Sequence, residues 1–399
     1  MANNTPTPTY AEFNGLVTTQ DEIELGLKGF TKAVNIDISS DKKIRRRKGQ
    51  TLINGTAVDS AAIGKKYFLY TSGTDLYRFD GSSSELVRSG ITAGGHIVAE
   101  YLNGKIYYSN GYENGVISGG ADRTLGLTAP GPVILSEATG KLCAGRYQCV
   151  VTYVRNDGQE SGASEVSVIE IQSDDAGIAV SSIPMSTDPT VEYVNIYLTN
   201  ANGSEFYLAL TQHNGVTDAV FAEDTNRLNR PLLTQYNRPI PPFSVIGEHN
   251  GRMVYGIGEM LVYSQPFMYE AYDARFAYLP MNGKITMIAS ADSGLFVGTN
   301  ERTIFLRGDD VRDAQISTVS DCGVVAGTLR YIPAEYFGTN SKQDSLPMWT
   351  SHKGICIGQD NGGVENTTSR RVDVPKGLKG TALFRHEDGQ NHYVTVIQS

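Results

Sequence analysis

The sequence predicts an all-β protein: a β-propeller with an inserted fibronectin- or immunoglobulin-like β-sandwich. Three observations lead there. Helical periodicity is scarce across the 399 residues. Short apolar or alternating runs are separated by Asn-Gly and Asp-Gly turns, whose residues tolerate positive φ and close two-residue hairpins. One tyrosine-rich hairpin unit recurs along the chain and stops in the middle. The composition agrees, with 43 Gly and 22 Tyr against a single Trp and 15 Pro, as expected of many tight turns between short strands.

The elements follow in order. Residues 1–32 read as an N-terminal arm with a flexible head over 1–9 and a short helix candidate over 19–28. Residues 33–126 form the first part of the propeller. It opens on a hairpin, AVNIDISSDKKIRRRKGQ, that turns at Ser39-Ser40-Asp41. The hairpin unit then appears as IGKKYFLYTSGTDLYRFDG from Ile63 and as HIVAEYLNGKIYYSNG from His96. It returns as FSVIGEHNGRMVYGIGEMLVYSQP from Phe243, TMIASADSGLFVGTNERTIFLRGD from Thr286 and SLPMWTSHKGICIGQDNGGVENTT from Ser345. Within each half of the chain, neighbouring copies lie about 30 to 60 residues apart, which suits propeller blades that bury their faces only by stacking on one another.

Residues 127–242 lack the unit. They open on Pro130-Gly131-Pro132 and close on a linker-like NRPIPP. Between lie GRYQCVVTYVRNDGQESGASEVSVIEI and VEYVNIYLTNANGSEFYLAL, the pattern of a seven-stranded sandwich. Residues 243–399 complete the propeller. Within them, 265–274 reads as a second short helix and 331–347 as a long polar insertion. The last strand, HYVTVI, is expected to pair with the N-terminal hairpin and complete a blade from both chain ends.

Charge and chemistry exclude several classes. Lys+Arg is 34 and Asp+Glu 43, a net charge of −9, which argues against a nucleic-acid coat while leaving room for a local basic patch. No apolar stretch reaches a membrane-spanning length, and the N-terminus carries no secretory signal. Cys143, Cys149, Cys322 and Cys356 form no CxxC pair and read as reduced, buried or half-buried thiols. There is no GxSxG, HExxH, Walker or calcium-loop motif. No catalytic, cofactor or metal-ligating residue is assigned. His386 and His392 straddle a turn and read as a solvated pair. Ser290-Ala291-Asp292-Ser293-Gly294 matches half of a carbohydrate-propeller turn but reads as a plain hairpin turn.

The order of these pieces carries a resemblance. An Arg-rich hairpin ending in RRRKG precedes two hairpin units. Then come YQCVVTYVRNDGQESG, VNIYLT and HNGRMVYG…LVYSQPF. The chain resembles the β-propeller tail proteins of short-tailed bacteriophages, the nozzle or tail-tube subunits, over stretches spread across most of its length. The resemblance implies a structural virion protein rather than an enzyme, assembled in the host cytoplasm into the tail. It implies a homohexameric ring below the portal and adaptor proteins, with genomic DNA passing along its axis. Tail fibres or a tip protein would be further partners, with no cofactor and no membrane insertion. The alternative class is a virion-associated glycan-binding or glycan-cleaving propeller. A cellular propeller scaffold is a third reading.

Two segments are candidate contact sites. The basic run Lys42, Lys43, Arg45, Arg46, Arg47 and Lys48 suits contact with a neighbouring subunit, contact with DNA phosphate, or a charged strand edge that discourages pairing. The segment MYEAYDARFAY offers Tyr269, Tyr272, Arg275 and Tyr278 as a partner-facing aromatic surface, or as packing beneath a loop.

Overall fold

The computed structural model describes residues 16–20, 29–32, 36–38, 42–46, 57–64, 66–337, 344–368, 371–377, 379–387 and 390–398. The head 1–9, most of the helix candidate 19–28, and Arg47 and Lys48 lie outside these residues. The described chain is almost entirely antiparallel β-structure.

A two-stranded hairpin comes first, β1 (Ile36–Ile38) and β2 (Ile44–Arg46). The first four-stranded sheet is β3 (Ser60–Gly64), β4 (Tyr67–Ser72), β5 (Asp75–Phe79) and β6 (Ser84–Ser89). The second is β7 (Val98–Leu102), β8 (Lys105–Ser109), β9 (Asn114–Ser118) and β10 (Ala121–Arg123). The chain then leaves this series for seven strands in two sheets. They are β11 (Ile134–Leu142), β12 (Gly145–Arg155), β13 (Ser167–Ile171), β14 (Ala176–Ser181), β15 (Val191–Leu198), β16 (Tyr207–His213) and β17 (Ala219–Phe221). Their orders are β11-β14-β17 and β13-β12-β15-β16.

A short strand, β18 (Asn237–Pro239), leads back to the series. The third sheet is β19 (Val245–His249), β20 (Arg252–Ile257), β21 (Met260–Tyr263) and β23 (Tyr278–Pro280), while β22 (Ala271–Asp273) pairs with β18. The fourth is β24 (Ile285–Ala291), β25 (Gly294–Thr299), β26 (Thr303–Arg307) and β27 (Gln315–Ser320). The fifth is β28 (Arg330–Pro333), β29 (Ser345–Ser351), β30 (Gly354–Gly358) and β31 (Val364–Asn366). A long hairpin, β32 (Lys379–Glu387) and β33 (Gln390–Gln398), ends the chain.

Each of the five recurring units falls on one of these five sheets. The turn chemistry explains the tightest hairpins. Asn103-Gly104 joins β7 to β8 at φ 50° and 80°, and Asn250-Gly251 joins β19 to β20 at φ 47° and 75°. Both pairs occupy the left-handed region that a type I′ turn requires.

The sheets stack face to face in chain order. Leu69 and Leu76 of the first sheet share a core with Ile106, Tyr108 and Ile117 of the second. Tyr107 and Val116, on the opposite face of that second sheet, pack with Phe243, Met253 and Tyr255 of the third. Val254, Leu261 and Tyr263 then meet Ile288, Leu295 and Val297 of the fourth. Phe296 and Phe305 meet Trp349 and Cys356 of the fifth, and Met348 and Ile357 meet Phe384 and Tyr393 of the last hairpin. Because both faces of a middle sheet are buried, neighbours such as Tyr107–Tyr108 and Val254–Tyr255 point into different cores. That is why these strands read as unbroken apolar runs rather than as alternation.

The first strands of the sheets also converge. β7 contacts β3 and β19, β19 contacts β24, and β28 contacts β32. The Ser290 amide of β24 donates to the Tyr331 hydroxyl of β28 at 2.7 Å. This propeller-like series carries the two-sheet body as an excursion between its second and third sheets. That body has its own core, in which Cys149, Val151, Val194 and Ile196 face Ile178, Val180 and Phe221.

Several expectations are corrected. Residues 265–274 are not helical: Gln265 bridges Met268, and Ala271–Asp273 is drawn into pairing with β18. The same pairing makes the start of the expected linker a strand. Part of 331–347 is also structured, with β28 paired to β29 and a 3-10 turn at Ala334–Phe337. Cys143 is exposed, although Cys149 and Cys356 are buried and all four cysteines are free. Among the described residues the N-terminal and C-terminal hairpins are separate two-stranded sheets. An ion pair joins them instead of a ladder, Arg385 Nη2 to Asp37 Oδ2 at 2.9 Å.

Candidate functional site

Among the described residues, a buried ionic clamp lies where the two-sheet body meets the sheet series. Arg123 ends β10, Arg155 ends β12, and Glu270 precedes β22. Arg155 and Glu270 are only 2% and 3% exposed. Arg123 grips Glu270 with both terminal guanidinium nitrogens, Nη1 and Nη2, at 2.6 Å each. Arg155 Nη1 donates to the same carboxylate at 2.7 Å, and the Gly126 amide does so at 3.1 Å. Arg155 Nη2 reaches the carbonyl of Gly126 at 3.0 Å and Asp188 at 3.3 Å. Lys105 pairs with Asp157 at 3.1 Å on the outer side.

Burial alone would raise the pKa of Glu270. The hydrogen bonds and charge of Arg123, with Arg155 and the Gly126 amide, outweigh it and hold the carboxyl below its ordinary value. A buried carboxylate with bidentate and charge-assisted partners is a stiff, orientation-specific joint. Gly126 has φ +78°, and a Cβ there would lie 2.6 Å from the Glu270 carbonyl. A glycine is therefore required where the chain passes behind the clamp.

Other motif residues serve the same end. Glu160, from the RNDGQES turn, accepts hydrogen bonds from Thr152, Asn195 and Tyr197 across the body's four-stranded sheet. Arg252, from HNGR, reaches the Ser264 carbonyl and Asp310, both at 2.7 Å. His249 touches Ser290 Oγ at 2.8 Å, tying the third sheet to the fourth.

A second polar locus lies where the first strands converge. Burial pushes the pKa of Glu100 (β7) up to about 7; the Tyr101 amide opposes the rise and the charge of Glu248 (β19) adds to it. Tyr331 on β28 feels both carboxylates, and its hydroxyl is raised mainly by burial. Four sheets thus contribute side chains or amides to one small volume.

The expected contact residues are distributed unevenly. Lys42, Lys43, Ile44, Arg45 and Arg46 are all exposed on or beside β2. Tyr269 is not partner-facing: it is 6% exposed and packs edge-on against Tyr107, its ring centroid 6.0 Å away. Tyr272 is half-buried between two cores. Arg275 and Tyr278 are exposed, with the Arg275 guanidinium 3.9 Å from the Tyr236 ring and ion-paired to Asp273. His386 faces Asn391 and His392 faces Arg385, so the two histidines are offset on the hairpin.

Among the described residues no three His, Cys, Asp or Glu side chains come together to hold a metal ion, and no helix is long and apolar enough to cross a membrane. Sequence reasoning missed Arg123, Arg155 and Glu270. The only signal was Arg155 directly after the TYV of the quoted motif.

No protein-family model and no curated protein matches the sequence. Matching solved structures include BBS1N in complex with ARL6DN, 8% identical over 83% of this chain and 84% of that one, at a TM-score of 0.31. Hsv2 of Kluyveromyces lactis is 8% identical over 86% and 98%, at 0.29. Apo AztD from Citrobacter koseri is 11% identical over 81% and 87%, at 0.26. Superpositions this loose carry no argument. The fold assignment, all-β with propeller-like four-stranded sheets, rests on the ladders and the shared cores.

Proposed function

We propose that this chain is a structural subunit of a short-tailed phage tail, a nozzle-like ring component that conducts DNA and offers docking surface to other tail proteins. In this reading the series of sheets is a propeller, and the two-sheet body is a fibronectin-like sandwich inserted between its blades. The observation that carries the reading is the clamp. A buried Glu270 bound by Arg123 and Arg155 fixes the insert rigidly to the series, as a wall element under mechanical load requires. Of the motif residues that underlie the phage-tail resemblance, Glu160 braces the body's four-stranded sheet and Arg252 joins the third sheet to Asp310 beside the fourth, which favours a mechanical role for them.

The partners in this reading are further copies of the chain, the portal and adaptor proteins, and a fibre or tip protein. The location is the virion tail. Negative-stain microscopy of the purified protein, with and without portal–adaptor complexes, tests it. Six-fold rings are expected on the complexes. A protein that stays monomeric in both conditions overturns the reading.

A further inference from the structure

Charge is partitioned sharply along this chain. Positions 42–48 hold six basic residues, while 134–221, the two-sheet body, holds eleven acidic residues against three basic, a net charge of −8. The basic strand is presented outward. In β1, Ile36 and Asp37 are half-buried, and Asp37 is tied to the C-terminal hairpin through Arg385, whereas β2 is exposed along its whole length. Ile44, itself 40% exposed, lies in line with Arg46, and Arg45 points to the other face.

The body carries a counterpart. β13 ends its sheet with β12 beside it in the ladder; β11 runs against it, and Ser167 Oγ donates to the Val133 carbonyl, so what β13 offers to solvent is its outer face. Val166 and Val168 are 45% and 47% exposed, and Glu165 and Glu170 flank them in the open. Along β2 an apolar residue is followed two positions later by a cation. Along β13 an apolar residue, Val168, is followed two positions later by an anion, Glu170. The two-residue step is the strand repeat, so Ile44 and Arg46 lie on one face of their strand and Val168 and Glu170 on one face of theirs.

We infer that β2 of one copy docks on the exposed face of β13 of the next copy, with Ile44 against Val166 and Val168, Arg46 against Glu170, and Arg45 and Glu165 at the rim of the contact. The inference rests on the ring reading above and names the two surfaces that would join its subunits. The paired charges set register and discourage wrong partners, while the apolar pair supplies the dry centre of the contact. A nucleic-acid backbone would satisfy the arginines but leave Ile44 and the two valines without a partner, so a second copy fits more of the surface.

Charge swapping tests the contact, with assembly read by mass photometry and by microscopy on portal–adaptor complexes. Arg45→Glu with Arg46→Glu should raise the concentration for half-assembly at least about tenfold, with an unchanged melting profile. Glu165→Arg with Glu170→Arg should do the same, and combining the two pairs should restore rings. Wild-type assembly should weaken with added salt, as screened charge pairs do. Rings that form equally well in both charge-reversed variants overturn the docking and leave the ring reading standing. Loss of binding to a DNA duplex in the arginine variant, with assembly intact, overturns it in favour of a nucleic-acid contact. A wild type that never assembles removes the ring reading, and the docking with it.

Discussion

Glu270→Gln separates a mechanical joint from an incidental surface pair. The substitution keeps size and shape but removes the charge that Arg123 and Arg155 share. Of the four donors now on the carboxylate, three are guanidinium nitrogens at 2.6, 2.6 and 2.7 Å. An amide at that place would have one oxygen to accept and an NH2 directed at a cation. Arg155, buried beside it, would keep only Asp188 at 3.3 Å as an anionic partner. Breaking a buried pair from one side costs about 3–5 kcal/mol, because the surviving charge stays desolvated. The loss should be local to the joint. Calorimetry should resolve a separate, lower-temperature transition for the two-sheet body. Amide exchange should accelerate around Arg155 and Gly126 before it does in β25 or β29. Adding Arg155→Met to Glu270→Gln should recover part of the loss, since the stranded cation is then gone. Because the Glu270 pKa is depressed in the folded protein, the clamp's contribution is fully present above the ordinary carboxyl value of 4.5 and is lost as pH falls through the folded value. A Glu270→Gln protein that melts like the wild type at neutral pH, as the exposed control Glu223→Gln should, would refute the clamp.

Two further outcomes follow from the same geometry. Glu100 is raised from 4.5 to about 7, so the native state holds its proton longer than the unfolded chain and stability falls as pH rises from 4.5 through 7; the upper bound is roughly 3 kcal/mol at 1.36 kcal/mol per pKa unit. Glu100→Gln should therefore stabilise the protein at pH 8 and flatten this limb of the stability–pH curve, and a limb that keeps its slope in the variant would contradict the assignment. Gly126→Ala places a methyl in the left-handed region and against the Glu270 carbonyl, so it should cost about 1–3 kcal/mol and lower the same transition as Glu270→Gln, whereas Gly73→Ala, also at positive φ but with open space around it, should cost less.

Local order was legible in the sequence because its causes are local. Asn103-Gly104 and Asn250-Gly251 specify their own turns, and the tyrosine-rich runs beside them specify strands buried on both faces. Each of the five recurring units accordingly falls on one four-stranded sheet. The reading failed where the deciding partner lies far along the chain. Residues 265–274 place Phe267 and Met268 about one helical turn before Tyr272, which imitates a helical stripe. Pro266, in what would be the first turn, is compatible with such a helix, and pairing with Asn237–Pro239 decided the matter. Tyr269 looked like a hot-spot residue because its segment is rich in Tyr and Arg, yet the ring that receives it, Tyr107, belongs to another sheet.

The clamp was hidden for the same reason in a stronger form. Arg123, Arg155 and Glu270 each sit in an unremarkable charged stretch, and 115 residues separate Arg155 from Glu270. Ions that look solvated one at a time become a buried joint only once two bodies close over them. That closure also explains why the chain tolerates three charges where an apolar contact would be at least as stable. An apolar seam would let the body slide or rotate against the sheets. A bidentate Arg123–Glu270 pair crossed by Arg155 has one good geometry, so its contribution is orientation more than net free energy. If orientation is its role, replacing all three with a well-packed apolar set should leave the melting temperature near the wild-type value while broadening the range of angles between the body and the sheets in single-particle images. Unchanged angles in such a variant would assign the orientation to the surrounding loops instead.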